Sequence, residues 1–497
     1  IILQNFVNSV PQNINTPPQM ALKYEKVLTE TTCYPGLFDT NFSMVNLDLK
    51  SIQQKIAEGK TSFKKLIKCN LGNPCGVGQK EITFVRQLIA ACLSPDLMEK
   101  NVFPSDVCER ARRILAACPG GNSGSYQATQ GIDPVLHDVA ESITHQDGYP
   151  CDKNSICLMN GATEAILSIL RPIIRSKYDA ILTPMPGFPM YGAAISYYGG
   201  SEVMYELDEE NGWGFSRSNL DAALLKCRTK GLVPRAIVLT NPSNPTGAVQ
   251  TRQNIEDIIQ FAYDNSILVI ADQVYQHNIY EPDQFPFISC RKALFDLNKQ
   301  HKCVGLELIS INSVSKSCYG ECGRRGGYFQ WENVCPKVIS QLLDIISLGA
   351  TNSDGMIAMD VVVNPPKQGE PSYALWRQEY YAILGELQGK ARMVAKEMGQ
   401  WEHMTCNTPY GAMYVFPQIH APPKVVEEAT KLGKKADDLY CQDLLNEVGV
   451  IVLPGNMFGE KEGTYHFRMT ILPDKKEMED LLNRWKVFHY AWMKKYM

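Results

Sequence analysis

The sequence predicts an α/β fold built on a largely parallel sheet. Between residues 156 and 312, short apolar runs alternate with stretches long enough to form helices. Apolar runs of this length, without polar alternation, are typical of strands buried on both faces. The composition agrees, since 44% hydrophobic and 21% charged residues are typical of a globular protein with a large core. The predicted strands are residues 156–159, 180–183, 236–240, 267–271 and 308–312.

The length of 497 residues is enough for two large domains or about three ordinary ones. A charged helical pattern with leucine and alanine runs from 372 to about 400 and is long enough to bridge two domains. We therefore expect an N-terminal arm and two domains, the smaller one α+β and formed from both parts of the chain. The expected ranges are 1–50 for the arm, 51–104 with 372–497 for the small domain, and 105–371 for the large domain.

Charge and hydropathy exclude several classes of partner. The net charge is −4 and the pI is about 6.1, so no basic field indicates nucleic acid as a partner. No apolar run approaches the 18 or so residues that a spanning helix needs, so we expect no membrane insertion. The size and composition favour an enzyme.

Cysteine usage indicates a reducing compartment. The 16 cysteines are about 3% of the chain and are scattered, which is below the density of a disulfide scaffold. Their spacing matches no zinc motif, so no metal site is expected. Because the sequence begins with Ile1, targeting stays open; the cytoplasm is the default expectation, and a mitochondrial location is the alternative.

In a parallel sheet the residues just after each strand matter most, because ligands bind beyond the carboxyl ends of the strands. The first strand leads into Asn160-Gly161-Ala162-Thr163, a small-residue turn that opens a helix. Such a turn suits a phosphate, although a plain turn with Thr163 as helix cap is the more ordinary interpretation of this segment alone. The third strand leads into Asn241-Pro242-Ser243-Asn244-Pro245-Thr246-Gly247, a rigid loop that would hold Asn244 at the sheet edge.

The last two predicted strands end in ionisable residues. Asp272 closes the fourth strand, with Tyr275 after it; a buried carboxylate needs a cation or a salt bridge. Lys316 follows the fifth strand in Ser313-Val314-Ser315-Lys316, where it is either a desolvated nucleophile or a solvated surface residue. Arg325 follows nine residues later between glycines and suits a phosphate. Together these features match pyridoxal 5′-phosphate, which needs a lysine for its aldehyde, a carboxylate for its ring nitrogen and donors for its phosphate.

The sequence also resembles a known family. The segments that carry the resemblance are the 241–247 loop, Ala271-Asp272-Gln273-Val274-Tyr275, Ser315-Lys316 with Gly320-Glu321-Cys322-Gly323, and Tyr465-His466-Phe467-Arg468-Met469. They are similar to fold-type I, class I/II pyridoxal-phosphate-dependent aminotransferases, and the resemblance covers most of the chain. It implies a large domain with a mainly parallel seven-stranded sheet between helices. The last two segments favour the branch that transfers the amino group of L-alanine to 2-oxoglutarate.

The resemblance implies a role for each matching residue. Lys316 would bind the cofactor aldehyde and shuttle the proton, and Asp272 would keep the ring nitrogen protonated. Asn244 and Tyr275 would donate to the ring oxygen, and Phe188 would stack on the ring. The expected phosphate ligands are Ala162, Thr163, Ser313 and Arg325. Arg324 is a departure from the family pattern and competes with Arg325 for the phosphate, but spacing favours Arg325.

Further roles concern the substrates and a second subunit. The resemblance implies that Arg468 binds the substrate α-carboxylate, with Asn244, Gly72 and Asn73 nearby. Arg468 alone would otherwise be an ordinary strand arginine. Tyr126 matches a tyrosine that reaches the phosphate of the neighbouring subunit. The expected partners are therefore small amino and keto acids and a second copy of the chain, in a homodimer with active sites at the interface.

The sequence is also compatible with other functions. The same scaffold could catalyse aromatic aminotransfer or aminocyclopropane-carboxylate synthesis, and an amino-donor panel would separate these reactions. A DNA-binding regulator that carries such a domain is a different class. The first hundred residues show no basic recognition-helix pattern, which argues against that class, and a gel shift on generic DNA would test it.

Overall fold

The computed structural model describes residues 49–497, so the predicted N-terminal arm lies outside the described residues apart from its last two positions. The strands are β1 (Ile67–Lys68), β2 (Ile156–Met159), β3 (Asp179–Met185), β4 (Ser201–Glu206), β5 (Val233–Thr240), β6 (Leu268–Asp272), β7 (Leu308–Ser313), β8 (Gly327–Glu332), β9 (Met404–Thr405), β10 (Tyr414–Val415), β11 (Gln418–Ile419), β12 (Val450–Ile451), β13 (Leu453–Pro454) and β14 (Phe467–Thr470).

The helices alternate with these strands through the middle of the chain. They are α1 (Leu49–Ala57), α2 (Thr83–Leu93), α3 (Asp96–Glu99), α4 (Ser105–Ala117), α5 (Asp133–Asp147), α6 (Ala162–Ile173), α7 (Met190–Tyr197), α8 (Arg217–Thr229), α9 (Arg252–Asp264), α10 (Cys290–Asn298), α11 (Pro336–Ser347), α12 (Ser353–Val363), α13 (Tyr373–Met398), α14 (Pro423–Lys431), α15 (Ala436–Val448) and α16 (Lys475–Tyr496).

Seven strands form the central sheet, in the order β2-β8-β7-β6-β5-β3-β4. The contacts from β7 through β4 are parallel, whereas β8 runs antiparallel to both of its neighbours. All five runs predicted from the sequence are strands of this sheet. The predicted α/β class with a mainly parallel seven-stranded sheet is therefore confirmed, although β4 and β8 were not among the predicted strands.

The sheet is covered by helices on both faces, and β5 shows why its strand is continuously apolar. Ala236 and Val238 pack into one core cluster, which also contains residues of α6 and α7. Ile237 and Leu239 pack into another cluster, with residues of α8, α9 and α10. Successive strand side chains point to opposite faces, so a strand covered on both sides must be apolar at every position.

The helices follow the apolar periodicity of the sequence. The α9 helix begins after Thr251, whose side chain accepts a hydrogen bond from the backbone N–H of Asn254 and so satisfies one free donor of the first turn. Its buried residues Ile255, Ile258 and Ile259 recur at helical spacing and face the sheet.

Segments from the first and last parts of the described chain pair with each other outside the central sheet. Ile67 in β1 pairs with Val450 in β12, and β10, β14 and β13 form a separate antiparallel sheet. The α13 helix coincides closely with the helix predicted over 372–400, but the proposed domain boundaries stay a prediction. Within residues 49–497, no helix is both long and apolar enough to cross a bilayer.

Candidate functional site

A cavity of about 160 Å³ lies at the edge of the central sheet where β5, β6 and β7 end. This is the position at which open α/β sheets bind their ligands. The cavity brings together nine of the residues singled out in the sequence: Ala162, Thr163, Phe188, Asn244, Asp272, Tyr275, Ser313, Lys316 and Arg325. Thr240, Ser315, Cys322 and Tyr414 also line it.

Lys316 reaches into this cavity from the loop after β7. Its Nζ donates to the carbonyl oxygen of Gly72 at 3.0 Å and lies 6.0 Å from the centre of the Tyr275 ring. Gly72 must be a glycine, because a Cβ there would lie 2.2 Å from the Tyr414 hydroxyl oxygen and 3.1 Å from Lys316 Nζ. The segment around Gly72 and the loop after β7 therefore together fix the position of the Lys316 amine.

Asp272 occupies the last position of β6 and is 3% exposed. Its carboxylate accepts hydrogen bonds from the Tyr191 hydroxyl at 3.1 Å and the Val274 backbone N–H at 3.4 Å. Burial raises the pKa of Asp272 to about 6, against the smaller opposing effects of these donors and of the Lys316 charge. A carboxylate in this environment favours a cationic partner.

The start of α6 is a candidate anion site. Gly161 precedes the helix with φ of 87°, and a Cβ at this position would come within 2.6 Å of the Arg325 guanidinium. Arg325 donates to the carbonyl oxygens of Cys322 at 2.9 Å and Asn160 at 3.1 Å. The first N–H groups of α6 and this guanidinium therefore face the same end of the cavity, which suits a phosphate.

The antiparallel direction of β8 explains the position of Arg325. Because β8 runs against β7, its first residue rather than its last lies at the binding edge, opposite Ser313. Arg325 lies just before β8 and lines the cavity, whereas Arg324 points toward the carboxylates of Glu321 and Asp354, at 3.7 and 3.8 Å. The geometry thus supports the choice of Arg325 over Arg324.

Arg468 approaches from β14 and is 4% exposed. Its Nη1 donates to Asn244 Oδ1 at 3.0 Å, and its Nη2 donates to the backbone oxygen of Asn70. Its guanidinium carbon lies 4.3 Å from the ring centre of Tyr414 and 4.7 Å from that of Phe458. Within the described chain, Nε has no hydrogen-bond partner, so this buried cation retains donor capacity for an anion.

The remaining predicted residues lie in three different environments. Phe188 is partly buried and lines the cavity, and its backbone oxygen accepts a hydrogen bond from the Tyr191 N–H at 3.2 Å. Asn73 lies beside the cavity, where its Oδ1 is 3.2 Å from Cys322 Sγ. Tyr126 does not line the cavity, and its side chain is 87% exposed. Its predicted contact with a second subunit stays a prediction.

Sequence reasoning missed two buried tyrosines. Tyr191 donates to Asp272 from α7, three residues after Phe188. Tyr414 lies in β10, and its hydroxyl is 3.0 Å from that of Tyr275. The helical spacing from Phe188 could have indicated Tyr191, but nothing in the apolar stretch Ala412-Met413-Tyr414-Val415 indicates a site residue.

Larger cavities are present, of about 680 and 860 Å³. The first is lined by several carboxylates and His466, and the second lies between residues 77–83 and α13. Neither combines a lysine, a buried strand-end carboxylate and an arginine at a helix start. The smaller cavity at the sheet edge is therefore the candidate active site.

Comparison with known proteins shows the family of the chain. The model of the family "aminotransferase class I and II" matches residues 95–484. The chain is 41% identical to alanine aminotransferase 2 of Xenopus tropicalis over 452 residues, which cover 90% of this chain and 85% of that protein. It is 40% identical to glutamate–glyoxylate aminotransferase 1 of Arabidopsis thaliana over 447 residues, 89% of this chain and 92% of that one.

Solved structures extend the comparison to the fold. A crystal structure of an aminotransferase from Escherichia coli superposes with a TM-score of 0.71, covering 92% of this chain and 97% of that chain. Its sequence identity is 20%, so this likeness concerns the fold alone.

Proposed function

The chain belongs to the class I and II aminotransferases, and we propose that it transfers the amino group of L-alanine to 2-oxoglutarate, giving pyruvate and L-glutamate. The reaction would proceed in two half-reactions at one site. The observation that carries this proposal is the meeting of Lys316, Asp272 and Arg468 around one sheet edge. A lysine for proton transfer, a buried acid and a carboxylate-binding arginine are the groups that amino-acid transamination requires.

The enzyme depends on pyridoxal 5′-phosphate, as its family does, and the residues present fit this cofactor. When bound, the cofactor supplies a ring that accepts the electron pair left by the departing α-proton. Asp272 is a buried carboxylate that favours a cation, which a protonated ring nitrogen offers. Thr240 Oγ1 lines the same cavity and has no hydrogen-bond partner among the described residues, so polar capacity remains for a ligand.

We assign the cofactor contacts from these positions. Arg325, Ser313 and the first N–H groups of α6 at Ala162 and Thr163 would bind the phosphate. Asn244 and Tyr275 would donate to the ring oxygen, and Phe188 would pack on the ring face. The support is that all of these residues line one cavity.

The substrate contacts follow from Arg468 and Lys316. The planar guanidinium of Arg468 would bind the α-carboxylate that alanine and 2-oxoglutarate share, while Asn244 holds the arginine in place. Lys316 Nζ would then take the proton from the α-carbon of the amino donor. In the second half-reaction it would return a proton to the α-carbon of the new amino acid. Gly72 and Asn73 would lie beside the substrate, because the Gly72 carbonyl oxygen accepts a hydrogen bond from the Lys316 amine.

The choice of alanine rests on the relatives rather than on the cavity. One similar protein is named for alanine and another for glutamate and glyoxylate. A panel of amino donors with 2-oxoglutarate as acceptor tests the choice, with glyoxylate as a second acceptor. We expect alanine to give the highest kcat/KM; a preference for aromatic donors, or production of aminocyclopropane carboxylate, would replace alanine transamination as the function.

Assembly and location complete the proposal. A homodimer would place the exposed Tyr126 of one subunit at the phosphate of the other, which would cover an aromatic side chain that is 87% exposed in the single chain. Sedimentation of wild type and Tyr126→Phe, with and without cofactor, tests this role. All fifteen cysteines in the described part of the chain are free thiols, which supports a reducing compartment, the cytoplasm or the mitochondrial matrix.

The lysine assignment has a direct test. Borohydride reduction of the loaded enzyme, followed by peptide mapping, should place the trapped cofactor on Lys316. Lys316→Ala should lose both the trapped cofactor and transamination, whereas the exposed Lys476→Ala should keep both. Trapped cofactor on another lysine would contradict the assignment.

A further inference from the structure

His466 is a buried histidine whose ring lies between two carboxylates, outside the candidate active site. It is 2% exposed, and its ring is stacked on that of Phe416, with centroids 4.8 Å apart. Its Nε2 is 3.0 Å from a carboxylate oxygen of Glu209, and its Nδ1 is 3.4 Å from one of Glu460. An ionised carboxylate only accepts hydrogen bonds, so both ring nitrogens donate and the ring carries a positive charge.

The two carboxylates belong to different parts of the fold. Glu460 lies between β13 and β14, within the antiparallel sheet to which His466 leads. Glu209 follows β4, the edge strand of the central sheet. The contact of His466 with Glu209 therefore joins the two sheets, whereas its contact with Glu460 does not. Because the side chains of His466 and Glu209 are 3% and 23% exposed, this ion pair is screened less than one on the open surface.

The segment that carries Glu209 is tied to the loop that carries Asn244. The backbone oxygen of Trp213, four residues after Glu209, accepts a hydrogen bond from Gln250 Nε2 at 3.0 Å. The backbone N–H of Gln250 donates in turn to Asn241 Oδ1 at 2.9 Å, three residues before Asn244. Glu209 and Asn244 therefore belong to one hydrogen-bonded unit on the side of the central sheet.

His466 and Arg468 contact this unit at two points. The two residues are two positions apart where the chain enters β14, so their side chains point to the same face. Arg468 Nη1 donates to Asn244 Oδ1 at 3.0 Å, and His466 Nε2 lies at the same distance from Glu209. Two contacts fix the direction of β14 relative to the central sheet, which one contact does not.

Aromatic side chains fill the space between the two contacts. The Phe416 ring, which is stacked on His466, lies 5.9 Å from the Phe458 ring. The Phe458 ring in turn lies 4.7 Å from the guanidinium carbon of Arg468. All four side chains are at most 4% exposed. A displacement of the histidine is therefore transmitted through packed rings toward the arginine.

We propose that His466 is a positioning residue for Arg468, whose guanidinium it orients toward the substrate carboxylate through the ion pair with Glu209. This inference rests on the proposed aminotransferase function, in which Arg468 binds the α-carboxylate. A bidentate contact depends on the direction of the guanidinium plane, so a strand shift of about 1 Å weakens it. His466 acts at a distance, because it lines the cavity of about 680 Å³ rather than the candidate active site.

A matched pair of variants tests this role. Glu209→Gln and Glu460→Gln each remove one charge and leave the His466 ring with one carboxylate. Glu209→Gln should raise KM for alanine and for 2-oxoglutarate on the order of 10-fold, the size expected for one charged contact, with kcat nearly unchanged. Glu460→Gln should keep both KM values, as should Glu210→Gln at the exposed neighbouring position. Equal KM increases in the Glu209 and Glu460 variants, or none in Glu209→Gln, would overturn the proposal.

The separate behaviour of KM and kcat distinguishes positioning from stability. Partial unfolding lowers the concentration of active enzyme and hence the apparent kcat, but it leaves KM unchanged. His466→Gln should therefore show the KM increase of Glu209→Gln, and the double variant should show no further increase. A lower kcat with normal KM in both single variants would assign His466 to stability alone and would overturn the proposal.

A second double variant tests whether the effect passes through the arginine. In an Arg468→Lys background, Glu209→Gln should raise KM much less than in the wild-type background, because the guanidinium to be positioned is absent. The same fold-increase in both backgrounds would show that Glu209 and His466 act independently of Arg468, which contradicts the proposal.

The wild-type enzyme separates this inference from the function on which it rests. Transamination and borohydride-trapped cofactor on Lys316 in the wild type, together with normal KM values in Glu209→Gln, would reject only the positioning role. Absence of both signals in the wild type would reject the aminotransferase function, and the positioning role with it.

Discussion

Arg468 Nη1 donates to Asn244 Oδ1 across 3.0 Å, and this hydrogen bond joins the antiparallel sheet to the loop after β5 of the central sheet. Both side chains are buried, at 4% and 3% exposure. Among residues 49–497, Arg468 has one side-chain partner and its Nε has none, so this buried cation retains donor capacity for an anion. The contact therefore aligns the proposed carboxylate-binding residue with the cofactor site.

Arg468→Lys should raise KM for both alanine and 2-oxoglutarate and lower kcat/KM. Lysine cannot reproduce the planar pair of donors, and losing such a charged contact should cost roughly 2–4 kcal/mol of transition-state binding. The absorbance spectrum of the bound cofactor should not change. Arg217→Lys, on the surface, serves as the control. Unchanged kinetics with both substrates would place the carboxylate site elsewhere.

Asp272→Asn should have opposite effects on turnover and on the stability of the cofactor-free protein. Burial raises the pKa of Asp272 from an ordinary value near 4 to about 6, so its ionisation opposes folding as pH rises through this interval. Above pH 6 the asparagine variant should gain on the order of 2–3 kcal/mol in unfolding free energy, with no gain below pH 4. Turnover of the loaded variant should fall, because its activation free energy should rise by several kcal/mol.

Urea unfolding at pH 4 and pH 7.5, with and without cofactor, measures this effect. An asparagine variant that is less stable at both pH values would show that Asp272 is held by partners within the protein. Near-normal turnover would show that the carboxylate has only a structural role.

Arg325→Lys and Arg324→Lys should differ in cofactor affinity. Arg325 lines the cavity beside the start of α6, and losing its charged donors should weaken cofactor binding by about 10- to 100-fold, equivalent to about 1.5–3 kcal/mol. Arg324 contacts Glu321 and Asp354 instead, so its variant should bind nearly normally. Cofactor dissociation constants from fluorescence titration decide between them, and a larger loss in Arg324→Lys would reverse the assignment.

His466→Gln should flatten the dependence of stability on pH. The His466 ring lies between the carboxylates of Glu209, at 3.0 Å, and Glu460, at 3.4 Å. Burial lowers its pKa, but these two carboxylates outweigh burial and raise it above the ordinary value of about 6.5. A raised histidine pKa stabilises the fold fully below pH 6.5 and loses this contribution as pH rises through the folded-state pKa.

Thermal unfolding from pH 5.5 to 8.5 tests this prediction. The wild type should be more stable than His466→Gln by about 1–3 kcal/mol at pH 5.5, the usual value of charged hydrogen bonds, and the difference should decline toward pH 8.5. A difference that is constant across the range would assign His466 to packing against Phe416, whose ring is stacked on it at 4.8 Å.

The sequence was sufficient to predict the part of the site that follows the parallel strands. Asp272 and Lys316 were found because buried strands are recognisable as apolar runs, and because parallel strands end at one edge. The antiparallel β8 was not predicted. Its residues Gly327-Tyr328-Phe329-Gln330-Trp331-Glu332 mix polar and aromatic side chains, and strand direction is set by pairing partners far away in sequence.

The contribution of the antiparallel sheet could not be derived from local pattern. Tyr414 reaches the cavity only because β10 pairs with β14, which brings its ring against Arg468. Short two-residue strands such as β10 carry too little periodicity to be recognised. Tyr191 was missed for a different reason, since its role depends on a hydrogen bond to Asp272 across the sheet face.

The pairing of β1 with β12 has a consequence for synthesis on the ribosome. The N–H groups of Ile67 and Cys69 donate to the carbonyl oxygens of Gly449 and Ile451, and the Thr470 N–H donates to the Cys69 carbonyl oxygen. The segment leading to Gly72 therefore acquires these partners only once residues 449–470 have been made. The ribosome makes the lysine loop roughly 130–150 residues earlier, which at about 5–20 residues per second leaves an interval of about 7–30 seconds. During that interval Gly72, whose carbonyl oxygen accepts from Lys316 Nζ in the complete chain, belongs to a segment that still lacks its backbone partners.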